Sequence, residues 1–552
     1  MWYFRAVAFD LDGTLAVHDA VSDGVIAAID RARSERAMLL VTGRTFDELH
    51  RGFPGLTEHF DAVVAENGAV MHTASGTRLL ATPIDETVDK ALADRGVPSS
   101  RGQVLLSIAG HDAGAATDVV AGLGLDCQVV HNRAAGMVLP AGVTKGTGLL
   151  AALTELGLSP HNAVAVGDAE NDLSLLHAAE VGVAVGNAVP ALVEHADIVL
   201  EQTNGAGIIA LLKGSLLAGH ERNCPPRRWL RIGTFGDGSA ALVPGSQDSI
   251  LICGDTGAGK SYLAGMLAER WIDAGYSVLV VDPEGDHVGL AARPGVHLID
   301  AEQHLPSPTD LLDIMRPNHT SLVLDLSGVG VDVKLAYLTR LPAAIRAERA
   351  RYGVPHWVIH DEAHETPWTA DYPLGGLTVA EPGTALITWQ PAALPAQVRQ
   401  SIGVVLTVQQ QASAAPGSHS LHATLQTADT PVRRFVVDDR ASTHVRHQHK
   451  YADSPLPADR QFYFHNEDAG PEIAAASLAE FDRLLRRCDL TTLDYHLSRA
   501  DFSRWIIGTL ADQQLGAELA SIERDLASNH DAALEHARQQ IQHAVTRRYL
   551  AH

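Results

Sequence analysis

The octapeptide GDTGAGKS, Gly254 to Ser261, constrains this chain more than any other stretch, because it can work only between a buried strand and a helix. SILIC (Ser249–Cys253) supplies an apolar strand before it, and Leu263, Met266 and Leu267 after it recur at the spacing of a helix's buried stripe. Glycines let backbone amides close around phosphate oxygens, and the helix directs its positive N-terminus at them. Gly254, Asp255, Thr256, Gly257, Ala258 and Gly259 form the cradle, Lys260 reaches the terminal phosphates, and the Ser261 hydroxyl is placed to ligate Mg²⁺. The full pattern G-x-x-x-x-G-K-S between strand and helix is a strong signal for a loop that cradles nucleotide phosphates.

Residues before this loop carry a second phosphate chemistry. AVAFDLDGTL is a strand ending in Asp10 and Asp12, AMLLVTGR ends at Thr42, Gly43 and Arg44, and AVAVGDAENDLSLL ends at Asp168 with Asn171 and Asp172 following. Apolar strands alternating with helical patterns predict a parallel α/β sheet, whose ligand site lies beyond the carboxyl ends of its strands. Those ends would bring four carboxylates, a hydroxyl and Lys145 to one place. Clustered carboxylates repel unless a cation sits among them, and oxygen ligands favour Mg²⁺. One aspartate can attack phosphorus, and a second two residues on can protonate the leaving oxygen and activate water. Thr42 and Lys145 would position and neutralise the transferring group.

With DLDGT, VTGR, GVTKG and GDAENDL in order, residues 1 to about 215 resemble haloacid dehalogenase (HAD) superfamily phosphatases of the Cof-like, sugar-phosphatase branch. AENGA (Ala65–Ala69) and VAVGNA (Val183–Ala188) match the same branch. The resemblance implies Asp10 as nucleophile, Asp12 as acid/base, and Thr42 and Lys145 as phosphoryl-binding catalytic groups. It implies Asp10, Asp12, Asp168 and Asp172 as metal ligands and Gly43, Arg44, Asn67 and Asn171 around the substrate. A cap inserted at about 70–140 is short for this branch, which points to a small phosphoester, a sugar phosphate or a phosphoglycolate-like compound.

An acidic partner for the phosphate loop is found in HWVIHDEAH, an apolar strand ending in Asp361 and Glu362. Asp361 would hold the Mg²⁺ shell and Glu362 polarise the attacking water. Asp325, closing SLVLDLS, competes but has no adjacent glutamate. TALITWQP places Gln390 at a strand end as a γ-phosphate sensor or as a plain polar terminus. Glu362 favours hydrolysis over transfer by a kinase. VVDPEGDH, DEAH and ITWQP make residues 229–412 resemble HerA/FtsK-like P-loop ATPases. That resemblance implies a homo-oligomeric ring such as a hexamer, with an arginine supplied by a neighbouring copy; Arg433 and Arg434 are the candidates.

The expected domains are a HAD-like phosphatase (1–213), a linker around Pro225-Pro226 (214–228), the P-loop ATPase (229–412), a basic strand and loop (413–455) and a helical module (456–552). The basic stretch, with Arg440, Arg446 and Lys450 and with His444, His447 and His449, is either a contact surface or a solvated strand. In the module Leu478, Phe481, Leu484 and Leu485 share one helix face, as do Phe502, Trp505 and Ile506.

Composition trims the functions. In residues 1–215, 13 Lys+Arg stand against 26 Asp+Glu, a balance of −13 that leaves −11 of the net −24 for the rest. Such a chain repels nucleic acid except at a local basic patch. Four cysteines far apart, none in a C-x-x-C pair, argue against a disulfide framework or a cysteine zinc site. No apolar run reaches the roughly 18 residues of a membrane span, and the N-terminus reads directly as a strand, so the cytoplasm is the expected compartment. Two rivals stay open: a nucleic-acid end-processing phosphatase with a P-loop domain, and an ATP-gated signalling or scaffold protein.

Overall fold

The computed structural model describes residues 3–132, 135–219, 224–255, 257–316, 319–365, 381–409, 421–428, 430–442, 456, 461–465, 473–510, 512–525 and 531–550. Its first sheet has eight strands, in the spatial order Ile198–Val199, Val181–Ala184, Ala163–Gly167, Ala6–Phe9, Ala37–Val41, Ala62–Ala65, Val70–Thr73 and Gly76–Leu79. The first six run parallel and the last two antiparallel. Helices cover both faces, so the central strands are apolar throughout, as AVAF and AVAVG read.

The cap begins later than expected. Val70–Thr73 and Gly76–Leu79 extend the core sheet, because they pair edge to edge with Ala62–Ala65. The cap sheet itself is four antiparallel strands in the order Ser99–Arg101, Leu106–Ala109, Ala135–Pro140 and Cys127–Asn132. Val88, Leu92, Ala116 and Val120 from two helices pack on Leu106, Ile108 and Val138 to form its core.

Among the described residues the second sheet has eleven strands. Seven are parallel, in the order Val404–Gln409, Ser249–Cys253, Thr384–Thr388, Trp357–His360, Val278–Asp282, Ser321–Asp325 and Val296–Asp300. His422–Thr427, Arg433–Val437, Leu230–Phe235 and Ala240–Val243 continue it antiparallel. The segment expected as a separate basic strand and loop is therefore partly built into this domain. Its alternation explains why: Phe435 and Val437 face the core while Arg434 and Val436 face outward, and Arg433 is exposed at the start of the strand. Arg446, Lys450, His444, His447 and His449 lie outside the described residues.

The described parts of the stretch 214–228, residues 214–219 and 224–228, are held onto the first domain. Leu216 and Leu217 enter its core, and the Arg227 guanidinium donates to the carbonyls of Leu176, Ala179 and Glu180 while pairing with Asp197. A buried polar knot then joins the two sheets. Glu180, fully buried, accepts from the Tyr276 hydroxyl (3.1 Å) and from Ser246, and lies 2.7 Å from His161 Nδ1. Asn162 donates to the Gly353 carbonyl (3.1 Å) and meets His356. His161 and Tyr276 stack at 3.8 Å.

These contacts fall at the N-terminal ends of strands whose other ends carry the acidic residues. Ala163–Gly167 starts beside Asn162 and leads to Asp168, and Trp357–His360 starts beside His356 and leads to Asp361. The two sheets thus meet base to base. The C-terminal helices close a separate apolar core, with Phe481, Phe502 and Ile506 buried and Trp505 packed against them. Among the described residues, no helix is long and apolar enough to cross a membrane.

Candidate functional sites

Asp10 stands immediately beyond the strand Ala6–Phe9 and is 3% exposed. Lys145 opens the helix Lys145–Glu155, whose Thr144 cap fixes its start, and is itself 1% exposed. Its ammonium donates to Asp10 at 2.5 Å and to Asp172 at 2.6 Å. Asp172 turns its other oxygen to the amides of Asp168 and Ala169, both at 3.0 Å, and the Thr14 hydroxyl donates to Asp168. Asp10, Asp168 and Asp172 can each offer an oxygen within 4.8 Å of the others.

Three buried carboxylates around one ammonium leave the site net negative. Burial, with the neighbouring charge of Asp172, pushes the Asp10 carboxyl well above its ordinary range, against the pull of Lys145. Burial works against the Lys145 ammonium as well, but Asp10 and Asp172 outweigh it and raise its pKa. A divalent cation among the three carboxylates would remove the repulsion, and the all-oxygen donor set suits Mg²⁺.

Asp12 stands apart from this cluster. Expected among the metal ligands, its carboxylate is instead clasped by Arg44, at 2.6 and 2.9 Å, and is only partly buried. The strand ends at Phe9 and the chain turns beyond it, so Asp10 and Asp12, two apart, no longer share a face. Arg44 also pairs with Asp19, and both contacts raise its pKa. Thr42 is fully buried; its hydroxyl accepts from the Arg44 amide across Gly43. Asn171 donates to Asn67 at 3.3 Å.

In the second domain the loop turns through left-handed glycines, with φ of 146° at Gly254, 76° at Gly257 and 105° at Gly259, where a side chain would be strained. Thr256 lies outside the described residues. Asp255 and Ala258 flank the turn, and the Lys260 ammonium donates to the Asp255 carbonyl at 3.1 Å. Ser261 is the next residue of the helix Lys260–Asp273, whose Leu263, Met266 and Leu267 are fully buried.

Sheet order ranks the acidic candidates. One strand separates the loop's strand from that of Asp361 and Glu362, whereas three separate it from that of Asp325. The intervening strand is Thr384–Thr388, and Gln390 follows two residues beyond its end. Two histidines that sequence reading left unassigned hold this edge. His287 Nε2 lies 3.0 Å from Asp361, and the Asp282 carboxylate accepts the amides of Gly285, Asp286 and His287. His364 Nδ1 lies 3.4 Å from Glu362 and 3.1 Å from the Thr388 hydroxyl, which accepts the Gln390 amide. The stretches DPEGDH and DEAH contain both, but nothing in their spacing assigns a role. Burial pushes the Asp282 carboxyl up to about 7, with His287 opposing.

Arg433, one of the two candidates for a residue acting on a neighbouring copy, is engaged within its own chain. It pairs with Asp237 at 2.8 Å and lies 3.7 Å over the Phe235 ring.

A parallel α/β core with acidic strand ends and an inserted cap, joined to a P-loop sheet and followed by a helical module, defines the class of this protein. The chain belongs to the haloacid dehalogenase-like hydrolases, whose family pattern matches residues 7–95 and 128–212. Residues 246–348 match the family described as Helicase HerA, central domain. A phosphoglycolate phosphatase of Halorubrum lacusprofundi is 32% identical over 226 residues, which cover 38% of this chain and 96% of that protein. Phosphoglycolate phosphatase 2 of Saccharolobus solfataricus is 30% identical over 214 residues, covering 37% and 90%. A haloacid dehalogenase-like hydrolase structure from B. subtilis, 22% identical, covers 38% of this chain and 99% of that one at a TM-score of 0.33. The first domain is thus a phosphoric monoester hydrolase domain, and the second is HerA-like.

Proposed function

We propose that the first domain is an Mg²⁺-dependent phosphatase for a small organic phosphate of the phosphoglycolate or sugar-phosphate class, and that the second hydrolyses ATP. The observation that carries the first part is the convergence of Asp10, Asp168, Asp172 and Lys145. Asp10, Asp168 and Asp172 would hold the ion, whose charge offsets that of the incoming phosphate. The Asp10 carboxylate attacks phosphorus, the ester P–O bond breaks, and the leaving oxygen takes a proton from Asp12. Water then attacks the aspartyl-phosphate while Asp12 accepts its proton, which frees phosphate and restores Asp10. Lys145 and Thr42 hold the phosphoryl oxygens, and Gly43, Arg44, Asn67 and Asn171 border the substrate. The relatives' names support phosphoglycolate as the first substrate to try.

For the second part, the loop Gly254–Ser261 with Lys260 receives the phosphates of ATP. Ser261 and Asp361 would hold its Mg²⁺, Glu362 orients water, and Gln390 senses the γ-phosphate. Assembly into a ring of copies belongs to this reading and is checked by light scattering with and without ATP. A net charge of −24 does not favour nucleic acid as partner.

The test is Mg²⁺-dependent phosphate release, without ATP, from phosphosugars, phosphoglycolate and phosphorylated oligonucleotide ends. Release from a small phosphoester that vanishes in Asp10→Asn supports the reading. Release from oligonucleotide ends alone sinks it in favour of end processing.

A further inference from the structure

Glu66 and Asn67, just past the strand Ala62–Ala65, both adopt left-handed φ, 54° and 55°. Left-handed backbone is unfavourable for a side chain such as that of glutamate, and both residues are held by their surroundings. The Glu66 amide donates to the Arg44 carbonyl and the Asn67 amide to the Thr42 carbonyl, both at 2.9 Å. Gly68 continues the turn so close to the next loop that a Cβ would lie 2.0 Å from the Thr144 carbonyl, beside Lys145. The backbone of this turn therefore rests on the segments that carry Thr42 and Lys145, and Asn67 meets Asn171.

The Glu66 side chain points the other way, into the cap. Its carboxylate accepts three successive cap amides: Gln103 at 2.8 Å, Val104 at 2.8 Å and Leu105 at 3.0 Å. Gly102 packs flat against it, since a Cβ there would lie 2.6 Å from a carboxylate oxygen. At 1% exposure, this carboxylate needs those amides to offset its lost hydration. The segment it grips leads directly into the cap strand Leu106–Ala109. Phosphoryl transfer as described above makes no use of Glu66.

We propose that Glu66 is a positioning residue that clamps the cap onto the phosphoryl-transfer site. Through it, one short turn sets the seat of the cap against Thr42, Lys145 and Asn171. Substrates whose organic end is read by the cap depend on this clamp, and those with little to read do not. The inference rests on the phosphatase reading.

The full-length protein is assayed with the organic phosphate turned over best in the panel above, and with acetyl phosphate. Acetyl phosphate has a leaving group that needs no proton and offers the cap no carboxylate. Glu66→Gln keeps the shape but turns an N–H₂ toward amide donors. It is expected to lower kcat/KM for the organic phosphate by about tenfold to a hundredfold, and that for acetyl phosphate by less than about threefold. Gly102→Ala, which crowds the same carboxylate, should give the same split if Glu66→Gln fails to fold. Equal losses on both substrates, or no loss on either, overturn the clamp. Hydrogen exchange gives a readout independent of turnover: amides 103–105 should exchange faster in Glu66→Gln, and unchanged protection also overturns it. A wild type inactive on both substrates sinks the phosphatase reading and leaves the exchange result to decide the clamp.

Discussion

Lys145 donates to Asp10 at 2.5 Å while bridging to Asp172 at 2.6 Å, so the proposed nucleophile is held by a cation before any metal arrives. Asp10→Asn keeps the shape and removes the attacking charge. Phosphate release should fall by at least about a thousandfold. Stability should not fall with it, because burial and Asp172 already disfavour the charged form. Metal-free thermal unfolding should place the mutant's midpoint at or above the wild type's.

A cation should bind and stabilise the same cluster. With Mg²⁺ at about 100 times its Kd, ligand binding adds about 2.7 kcal/mol to the folded state. Thermal scans should show an upward shift in wild type that is largely lost in Asp168→Asn. Chelation should abolish phosphatase turnover.

The two sites should fail independently, because their sheets meet at the ends remote from Asp168 and Asp361. Lys260→Ala and Glu362→Gln are each expected to lower ATP hydrolysis by about a hundredfold or more. Glu362→Gln should keep nucleotide binding, read by a fluorescent ATP analogue. Phosphatase rates of both should stay within about twofold of wild type, and a larger fall would mean that the domains are catalytically coupled.

Much of this was legible from strand ends. An apolar run closed by Asp10, Thr42 or Asp168 announces its place in a parallel sheet, because the sheet geometry fixes where carboxyl ends go. Asp361 and Glu362 were read the same way, and sheet order then ranked them above Asp325. Contacts between distant polar residues were not legible. Glu66 sits in the AENGA stretch, yet its three partners lie more than thirty-five positions on, and a lone glutamate reads as surface. His287 was hidden for the same reason, its partner Asp361 lying 74 positions on, and His364 because nothing in DEAH singles out its contact with Thr388. Asp12 misled because spacing along the chain says nothing of which way a side chain turns once a strand has ended.

Glu180 is the residue through which the join between domains can be tested. It is fully buried on the first domain and accepts the Tyr276 hydroxyl and Ser246 from the second. Burial pushes its carboxyl up, but the hydrogen bond and charge of His161, with Arg228 and Ser246, outweigh that and hold its pKa below the ordinary 4.5. A carboxyl depressed in the folded state stabilises it above the unfolded value, and that contribution is lost as pH falls through the folded pKa. Glu180→Gln breaks a buried charge network, which costs about 3–5 kcal/mol. Thermal scans at about pH 7 should therefore place its midpoint well below that of wild type. Below about pH 4.5 the gap should narrow, because the wild type then loses the same interaction by protonation. A gap that stays constant through the acid range would mean that the Glu180 charge contributes nothing to holding the domains together.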